Sequence, residues 1–349
     1  MHKHGGDIYQ KDALIDFSAN INLMGISESV INAACEGVRR SANYPDVECR
    51  ELRRSISEAA NVPSDYIICG NGAADIIYSM VLALKPKKAL LPVPSFYEYE
   101  KALSILDCQV EYFLLKKENR FHLQEDFLDS ITEEIDIIFL CNPNNPTGNL
   151  TERSLMDRII QKCEALSIWL VVDECFLDFV KEGNAYSVRE QVENTKHLMI
   201  LKAFTKLYAM PGLRLGYGIS SNLEFLSQMR GVSQPWNVSI PAQLAGVAAL
   251  KEVDYVETSL ALIRKERSYL IEELTKLGFE VYDSRANYIF FEAAAGLTPY
   301  CYERGILIRD CSNYQGLGEG YYRIAVRNYQ ENIQLIKVLE EAVKEWQKQ

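Results

Sequence analysis

Residues 200–218 read ILKAFTKLYAMPGLRLGYG. An apolar run leads through Thr205 to Lys206, then to an aromatic and Pro-Gly turn, then to Arg214 ahead of a glycine-rich apolar segment. The run Lys196–Leu201 has the composition of a strand that would carry Thr205 and Lys206 at its C-terminal end. A lysine held in such a place has a specific chemical use. Its amine can condense with an aldehyde cofactor if its surroundings let it lose the proton. An arginine close by would hold an anionic group of that cofactor as a bidentate partner. Two ordinary cations on a surface turn would give the same spacing, so the neighbouring segments decide.

Three further segments carry the same logic. Tyr66–Cys69 is a short apolar strand followed by Gly70-Asn71-Gly72 and a helical run from Ala73. A strand, a glycine turn and a helix N-terminus present bare N–H groups to an anion, which points to Gly72 and Ala73. The apolar run Ile135–Cys141 is a strand covered on both faces. It opens into Asn142–Gly148, NPNNPTG, a polar loop of the kind that binds ligands at strand C-termini in open α/β sheets. Ile168–Val172 is a second buried strand, and it ends at Asp173. A carboxylate after a run of valines is costly to bury without a cationic partner. Strands and helices alternate through residues 62–220, with further strands at Ala89–Pro92 and helices after Pro94 and Thr151, the last read as an N-cap. The pattern predicts an α/β fold with a mostly parallel sheet, helices on both faces and the site at the strand C-termini.

The pattern S/T-K-x-x-x-x-x-G-x-R at Thr205–Arg214, with GNGAADI (70–76), NPNNPTG (142–148) and VVDECF (171–176) in the same order, resembles the fold-type-I enzymes that use pyridoxal 5'-phosphate. These are the class I and II aminotransferase superfamily. The resemblance implies a seven-stranded type of sheet and a smaller α+β domain. It implies Lys206 as the cofactor's attachment point and Asp173 as partner of the pyridine nitrogen. It further assigns Gly72, Ala73, Thr205 and Arg214 to the cofactor phosphate and Asn145 to the phenolic oxygen. Phe96 becomes the aromatic stacked on the ring, with Tyr99 as the alternative. Ala74 and Ala203 stand where many relatives carry polar side chains, so two phosphate contacts are absent.

Within the superfamily, HGGDIY (4–9) and DFSANIN (16–22) are similar to the threonine-phosphate decarboxylases of cobalamin biosynthesis, and then to the histidinol-phosphate aminotransferases. Phe176 stands where the latter usually carry a tyrosine. The same likeness makes His4, Gly5 and Asn20 substrate-pocket residues. Arg323 becomes the α-carboxylate binder and Arg309 the phosphate binder, with the two roles exchangeable and Arg327 able to assist. Tyr44 matches a tyrosine that reaches the cofactor phosphate of a neighbouring subunit, which implies a homodimer with shared active sites. The expected activity is decarboxylation of L-threonine O-3-phosphate, with transamination as the alternative, because the same lysine serves either outcome.

Composition narrows the partners. A net charge of −11 argues against a nucleic-acid partner and against a cofactor-binding DNA regulator. Nine cysteines, several in apolar runs and none in a C-x-x-C pair, read as reduced core thiols of a cytoplasmic protein. The sequence shows no apolar stretch of the about 18 residues that a spanning helix needs, and no signal-peptide core. His2 and His4 lack a third ligand, so no metal site is expected. The length of 349 residues suggests two domains. The division expected is 1–44 as an arm and helix packing with the small domain, 45–238 as the large cofactor domain, and 239–349 as the small domain. The helix that begins after Ser27 and the long amphipathic pattern Tyr255–Leu277 fit this scheme, the second as a bridge between domains.

Overall fold

The computed structural model describes residues 5–9 and 14–347. His4, and with it the expected contribution of that histidine, lies outside the described residues. After a two-residue strand β1 (Ile15–Asp16), the chain forms β2 (Ile67–Gly70), β3 (Lys88–Val93), β4 (Gln109–Leu114), β5 (Ile137–Cys141), β6 (Trp169–Asp173), β7 (Leu198–Ala203) and β8 (Gly216–Ile219). The last seven make one sheet in the order β2-β8-β7-β6-β5-β3-β4. All neighbours are parallel except β8, which runs antiparallel to both β2 and β7.

The apolar runs are continuous because both faces of this sheet are covered. Ile138, Leu140, Leu170, Val172, Leu198 and Ile200 face one core. Their sequence neighbours Ile137, Phe139, Trp169, Val171, Met199 and Leu201 face the other. Helices Ala73–Leu84, Glu98–Leu103 and Leu223–Val232 cover the second face through Ile77, Met80, Tyr99, Leu103, Leu226 and Met229. Helices Arg50–Ala60 and Arg153–Ala165 cover the first through Leu52, Ile56, Met156 and Ile159.

The remaining strands are β9 (Glu280–Val281), β10 (Tyr288–Glu292), β11 (Ile306–Leu307), β12 (Arg309–Asp310) and β13 (Tyr321–Ala325). An antiparallel sheet runs β12-β13-β10-β9, while β1 pairs in parallel with β11. A separate core forms here from Tyr288, Ile289, Phe291 and Ile324 with Ile263, Leu270 and Leu274 of helix Val253–Lys276 and Leu335 and Leu339 of helix Tyr329–Trp346. Phe176, Phe179 and Leu207 from the large sheet's loops join the same cluster, so the second unit is packed against the strand ends that carry the site.

Packing departs from the expected division in two places. Helix Ile240–Ala249, expected in the small domain, buries Ala242, Ala245 and Ala249 in the large-sheet core. Helix Glu28–Arg39 was expected to pack with the small domain. It instead crosses Ile240–Ala249 so closely that a Cβ on Gly37 would lie 2.5 Å from the Pro241 Cα. The missing side chain of Gly37 on the earlier helix allows that approach, and Val30 of the same helix joins the large-sheet core, so apolar contact rather than chain order decides membership. Of the arm's described residues, β1, Phe17 and Leu23 join the small unit. Two capping expectations also change. Ser27 occupies the N-cap of Glu28–Arg39 but makes no side-chain cap bond. The cap of Arg153–Ala165 falls at Glu152, while the Thr151 amide donates to Asn142 Oδ1 at 2.9 Å. All nine cysteines are free, and eight of them are buried or half-buried.

Candidate active site

The C-terminal ends of β5, β6 and β7 meet the turn after β2 and the arginines of the small sheet around a cavity of about 250 Å3. Lys206 enters it from the four-residue helix Phe204–Leu207, directly after β7. Its Nζ stands 5.7 Å from the centroid of Phe176. Burial, then the nearby Arg323 charge, push the Lys206 amine down to about 8, with Cys175 and Asp173 opposing and Arg214 reinforcing the shift. A substantial neutral fraction therefore exists near physiological pH, as a nucleophilic amine requires.

Asp173 sits at the end of β6, as the valine run predicts. Its Oδ2 accepts the Tyr99 hydroxyl at 2.6 Å and its Oδ1 accepts the Cys175 amide at 2.9 Å. Among the described residues no lysine or arginine forms a salt bridge with it; the Lys206 amine acts on this buried carboxylate only as a charge across the cavity. The two aromatic candidates stand in different places. Phe96 lines the cavity. Tyr99 is fully buried behind it, edge-on to Phe96 at 5.5 Å and stacked on Phe139 at 4.9 Å. Burial and the Asp173 charge raise the Tyr99 hydroxyl well above its ordinary value, so it stays a donor. Helical spacing placed both aromatics on one face. The bond to Asp173 needed the tertiary fold.

The anion cradle is also assembled. Gly72 has φ +85, and a Cβ there would lie 2.5 Å from Arg214 Nη2. Gly216 is equally constrained, since a Cβ would meet the Ala73 amide nitrogen at 2.4 Å. These glycines let the guanidinium and the N-terminus of helix Ala73–Leu84 converge. Ala73, Thr205 and Arg214 line the cavity beside Lys206.

Opposite the cradle stand the two small-domain arginines. Arg309 on β12 and Arg323 on β13 are direct cross-strand partners. Both are buried, at 6% and 5% exposure. Neither forms an ion pair with a carboxylate among the described residues; Asp310 instead accepts the Ser312 amide at 2.8 Å. Arg323 Nη1 donates to Asn145 Oδ1 and its Nη2 to the Ser18 carbonyl at 2.8 Å, while its Nε has no partner. Arg309 Nη2 donates to Asn313 Oδ1 at 2.9 Å, and its guanidinium lies 5.1 Å from the Tyr314 ring centroid. Like charges directly opposite in a sheet are destabilising, so this pair marks a place for bound anions. Arg327 is committed elsewhere, bidentate to Glu331 at 2.9 and 3.0 Å.

Gly5 and Asn20 also line the cavity, and Asn20 Oδ1 is buried without a partner. Tyr44 does not reach it. That ring is 78% exposed and stacked on Trp236 at 4.6 Å. Sequence reasoning missed Tyr314, Cys141 and Cys175 as cavity residues. The two cysteines flank Asn142 and Asp173 and could have been found from those loops. Tyr314 has no local signal. Among the described residues no group of acidic, histidine or cysteine side chains could hold a metal ion.

Comparison with known proteins identifies the family. The model of the family "Aminotransferase class I and II" matches residues 12–339. The chain is similar to the threonine-phosphate decarboxylase of Salmonella typhimurium, 34% identical over 348 residues that span 96% of this chain and 95% of the relative. It is similar to the histidinol-phosphate aminotransferase of Methanococcus aeolicus, 30% identical across 95% of this chain and 91% of that protein. Among solved structures, the histidinol-phosphate aminotransferase of Clostridium acetobutylicum superposes with a TM-score of 0.89 at 32% identity, covering 95% of this chain and all of that one.

Proposed function

The chain belongs to the class I and II aminotransferases, and on that premise we propose that it decarboxylates L-threonine O-3-phosphate to (R)-1-amino-2-propanol phosphate. The family depends on pyridoxal 5'-phosphate. The residues present fit that group. The cavity offers a neutralisable amine at Lys206, an unpaired buried carboxylate at Asp173, an apolar wall at Phe96 and a cationic cradle at Gly72, Ala73, Thr205 and Arg214. When bound, pyridoxal 5'-phosphate supplies an electron sink for the pair released from a bond at the substrate's α-carbon.

The observation that carries the proposal is the pair Arg309 and Arg323, two buried guanidiniums facing one cavity with no carboxylate of their own. They suit a substrate with two anionic groups. Phosphothreonine meets both with a phosphate and an α-carboxylate; histidinol phosphate has only the phosphate, and an aminotransferase would fill the pair with its dicarboxylate acceptor, so product analysis separates the two. In this reading Arg323, pinned by Asn145 and Ser18, takes the α-carboxylate, and Arg309 takes the phosphate. Asp173, oriented by Tyr99, would hold the ring nitrogen of the cofactor. The Cα–carboxylate bond breaks, CO2 leaves, and the amine of Lys206 delivers the proton that replaces it. Phe176 packs edge-on against Tyr288 at 5.0 Å and adds no hydroxyl to the cavity. The exposed Tyr44, stacked on Trp236, is assigned to a second copy of the chain, where it would contact that copy's cofactor phosphate. No helix among the described residues is long and apolar enough to cross a membrane.

The test is a substrate panel with product analysis. Phosphothreonine should release CO2 and yield aminopropanol phosphate, and unphosphorylated threonine should react poorly. Amino transfer from histidinol phosphate to 2-oxoglutarate, with no CO2 from phosphothreonine, would overturn the proposal in favour of an aminotransferase.

A further inference from the structure

The motif DFSANIN contributes more than Asn20. Asn22, two residues beyond it, is 2% exposed and does not line the cavity. It bonds instead to the backbone of the lysine helix. Its amide nitrogen donates to the Lys206 carbonyl at 3.1 Å, and its Nδ2 donates to the Leu207 carbonyl at 2.7 Å. Its Oδ1 accepts the Met24 amide at 3.1 Å, which sets the orientation of the side-chain amide. Helix Phe204–Leu207 has only four residues, so its last carbonyls lack helical partners. The Lys206 carbonyl otherwise receives only the Ala209 amide, at 3.3 Å. The Tyr255 hydroxyl gives its one proton to the Gly25 carbonyl at 2.6 Å and lies 3.5 Å from the Leu207 carbonyl, so helix Val253–Lys276 holds the arm where it crosses the lysine helix.

The other end of the same segment touches the substrate side. Asp16 Oδ1 accepts the Ser18 amide and hydroxyl at 2.7 and 2.6 Å. The Ser18 hydroxyl takes the Gly6 amide at 2.7 Å, and the Ser18 carbonyl takes Arg323 at 2.8 Å. One stretch of backbone therefore runs from the carboxylate-binding arginine, past the cavity at Ala19 and Asn20, to the carbonyls of the catalytic lysine's own turn.

We propose that Asn22 is a positioning residue that fixes the Lys206 amine through its backbone and couples occupation of the arginine side of the cavity to the placement of that amine. This rests on Lys206 being the reacting lysine. The physical reason is leverage. The lysine turn is one short helix between a strand and a Pro-Gly turn, and proton delivery at the α-carbon tolerates little displacement. Two donors from the arm, itself held by the bridging helix, substitute for the turns of helix that would otherwise hold it.

The experiment uses the holoenzyme and three variants, Asn22→Asp, Asn22→Ala and Tyr255→Phe. Asn22→Asp is isosteric, keeps the acceptor for Met24 and turns the donor toward Leu207 into an acceptor. It should lower kcat about 10- to 100-fold and move the pH midpoint of the bound cofactor's absorbance. Affinity of the apoenzyme for pyridoxal 5'-phosphate should stay within about threefold, because the phosphate cradle is untouched. Tyr255→Phe should move kcat and the midpoint in the same direction by less. If either asparagine variant fails to fold, Tyr255→Phe decides alone. An unchanged kcat and midpoint would overturn the proposal. So would a fall in kcat matched by equal losses of cofactor affinity and thermal stability, since that is what a merely structural asparagine produces. Borohydride reduction separates this failure from failure of the parent reading: the label must map to Lys206 in wild type and variants alike, and a label elsewhere removes the premise rather than the coupling.

Discussion

Replacing Lys206 by methionine should stabilise the cofactor-free protein, and only in one range of pH. The buried amine is displaced from the ordinary 10.5 to about 8, with burial as the leading cause and the Arg323 charge next. That displacement corresponds to ~3 kcal/mol of preference for the neutral amine in the folded state. Below pH 8 the lysine is protonated in both folded and unfolded chains, and folding carries the whole penalty of burying the charge. Between pH 8 and 10.5 the folded protein releases the proton while the unfolded chain keeps it, so the penalty shrinks as pH rises. Above that range both forms are neutral and the penalty is gone. Methionine has a similar length, no charge and adaptable packing. The assay is urea denaturation of dialysed wild type and Lys206→Met from pH 6.5 to 10, at one protein concentration so that any assembly contributes equally. The variant should be more stable by up to ~3 kcal/mol at pH 7, with the difference closing toward pH 10. Subtracting the two proteins cancels the titrating groups that do not interact with Lys206; Asp173 and Cys175, which do, are carried in the difference. A difference that does not vary with pH, or a variant less stable at pH 7, would refute the account of Lys206 as a buried amine poised near neutrality.

Two other perturbations address the cofactor's surroundings. Tyr99→Phe removes a 2.6 Å hydroxyl bond to a buried carboxylate. It should cost ~1.5–3 kcal/mol in denaturation and weaken cofactor retention; a variant indistinguishable from wild type in both would mean that Asp173 is held by other groups. Gly72→Ala places a methyl 2.5 Å from Arg214 Nη2 on a backbone with φ +85. The strain, about 1–3 kcal/mol, should appear in titration of the apoenzyme as a ~10- to 100-fold weaker affinity for pyridoxal 5'-phosphate, and unaltered affinity would remove this turn from the cradle.

Much of the large sheet was legible because its signals are local. A glycine with φ +85 before a helix, a carboxylate ending a valine strand and a lysine after a buried run each carry their meaning within a few residues. The small-domain contributions were legible as residues but not as an arrangement. That Arg309 and Arg323 stand directly opposite is a fact of strand register, set by the pairing of β12 with β13 across a loop. The brace from Tyr99 to Asp173 spans 74 positions, and the clamp from Asn22 to Leu207 spans 185. Neither has a periodicity to betray it.

The amino-acid sequence by itself determined the layered sheet and put Lys206, Asp173 and the Gly72 turn at its strand ends, because backbone conformation and burial of an apolar run depend on near neighbours. Only the tertiary structure decided that helix Ile240–Ala249 packs with the large sheet, that Tyr99 braces Asp173 while Phe96 lines the cavity, and that the arm grips the short helix that carries Lys206. Those outcomes depend on which surfaces meet across elements distant in the chain, and chain order carries no measure of that fit.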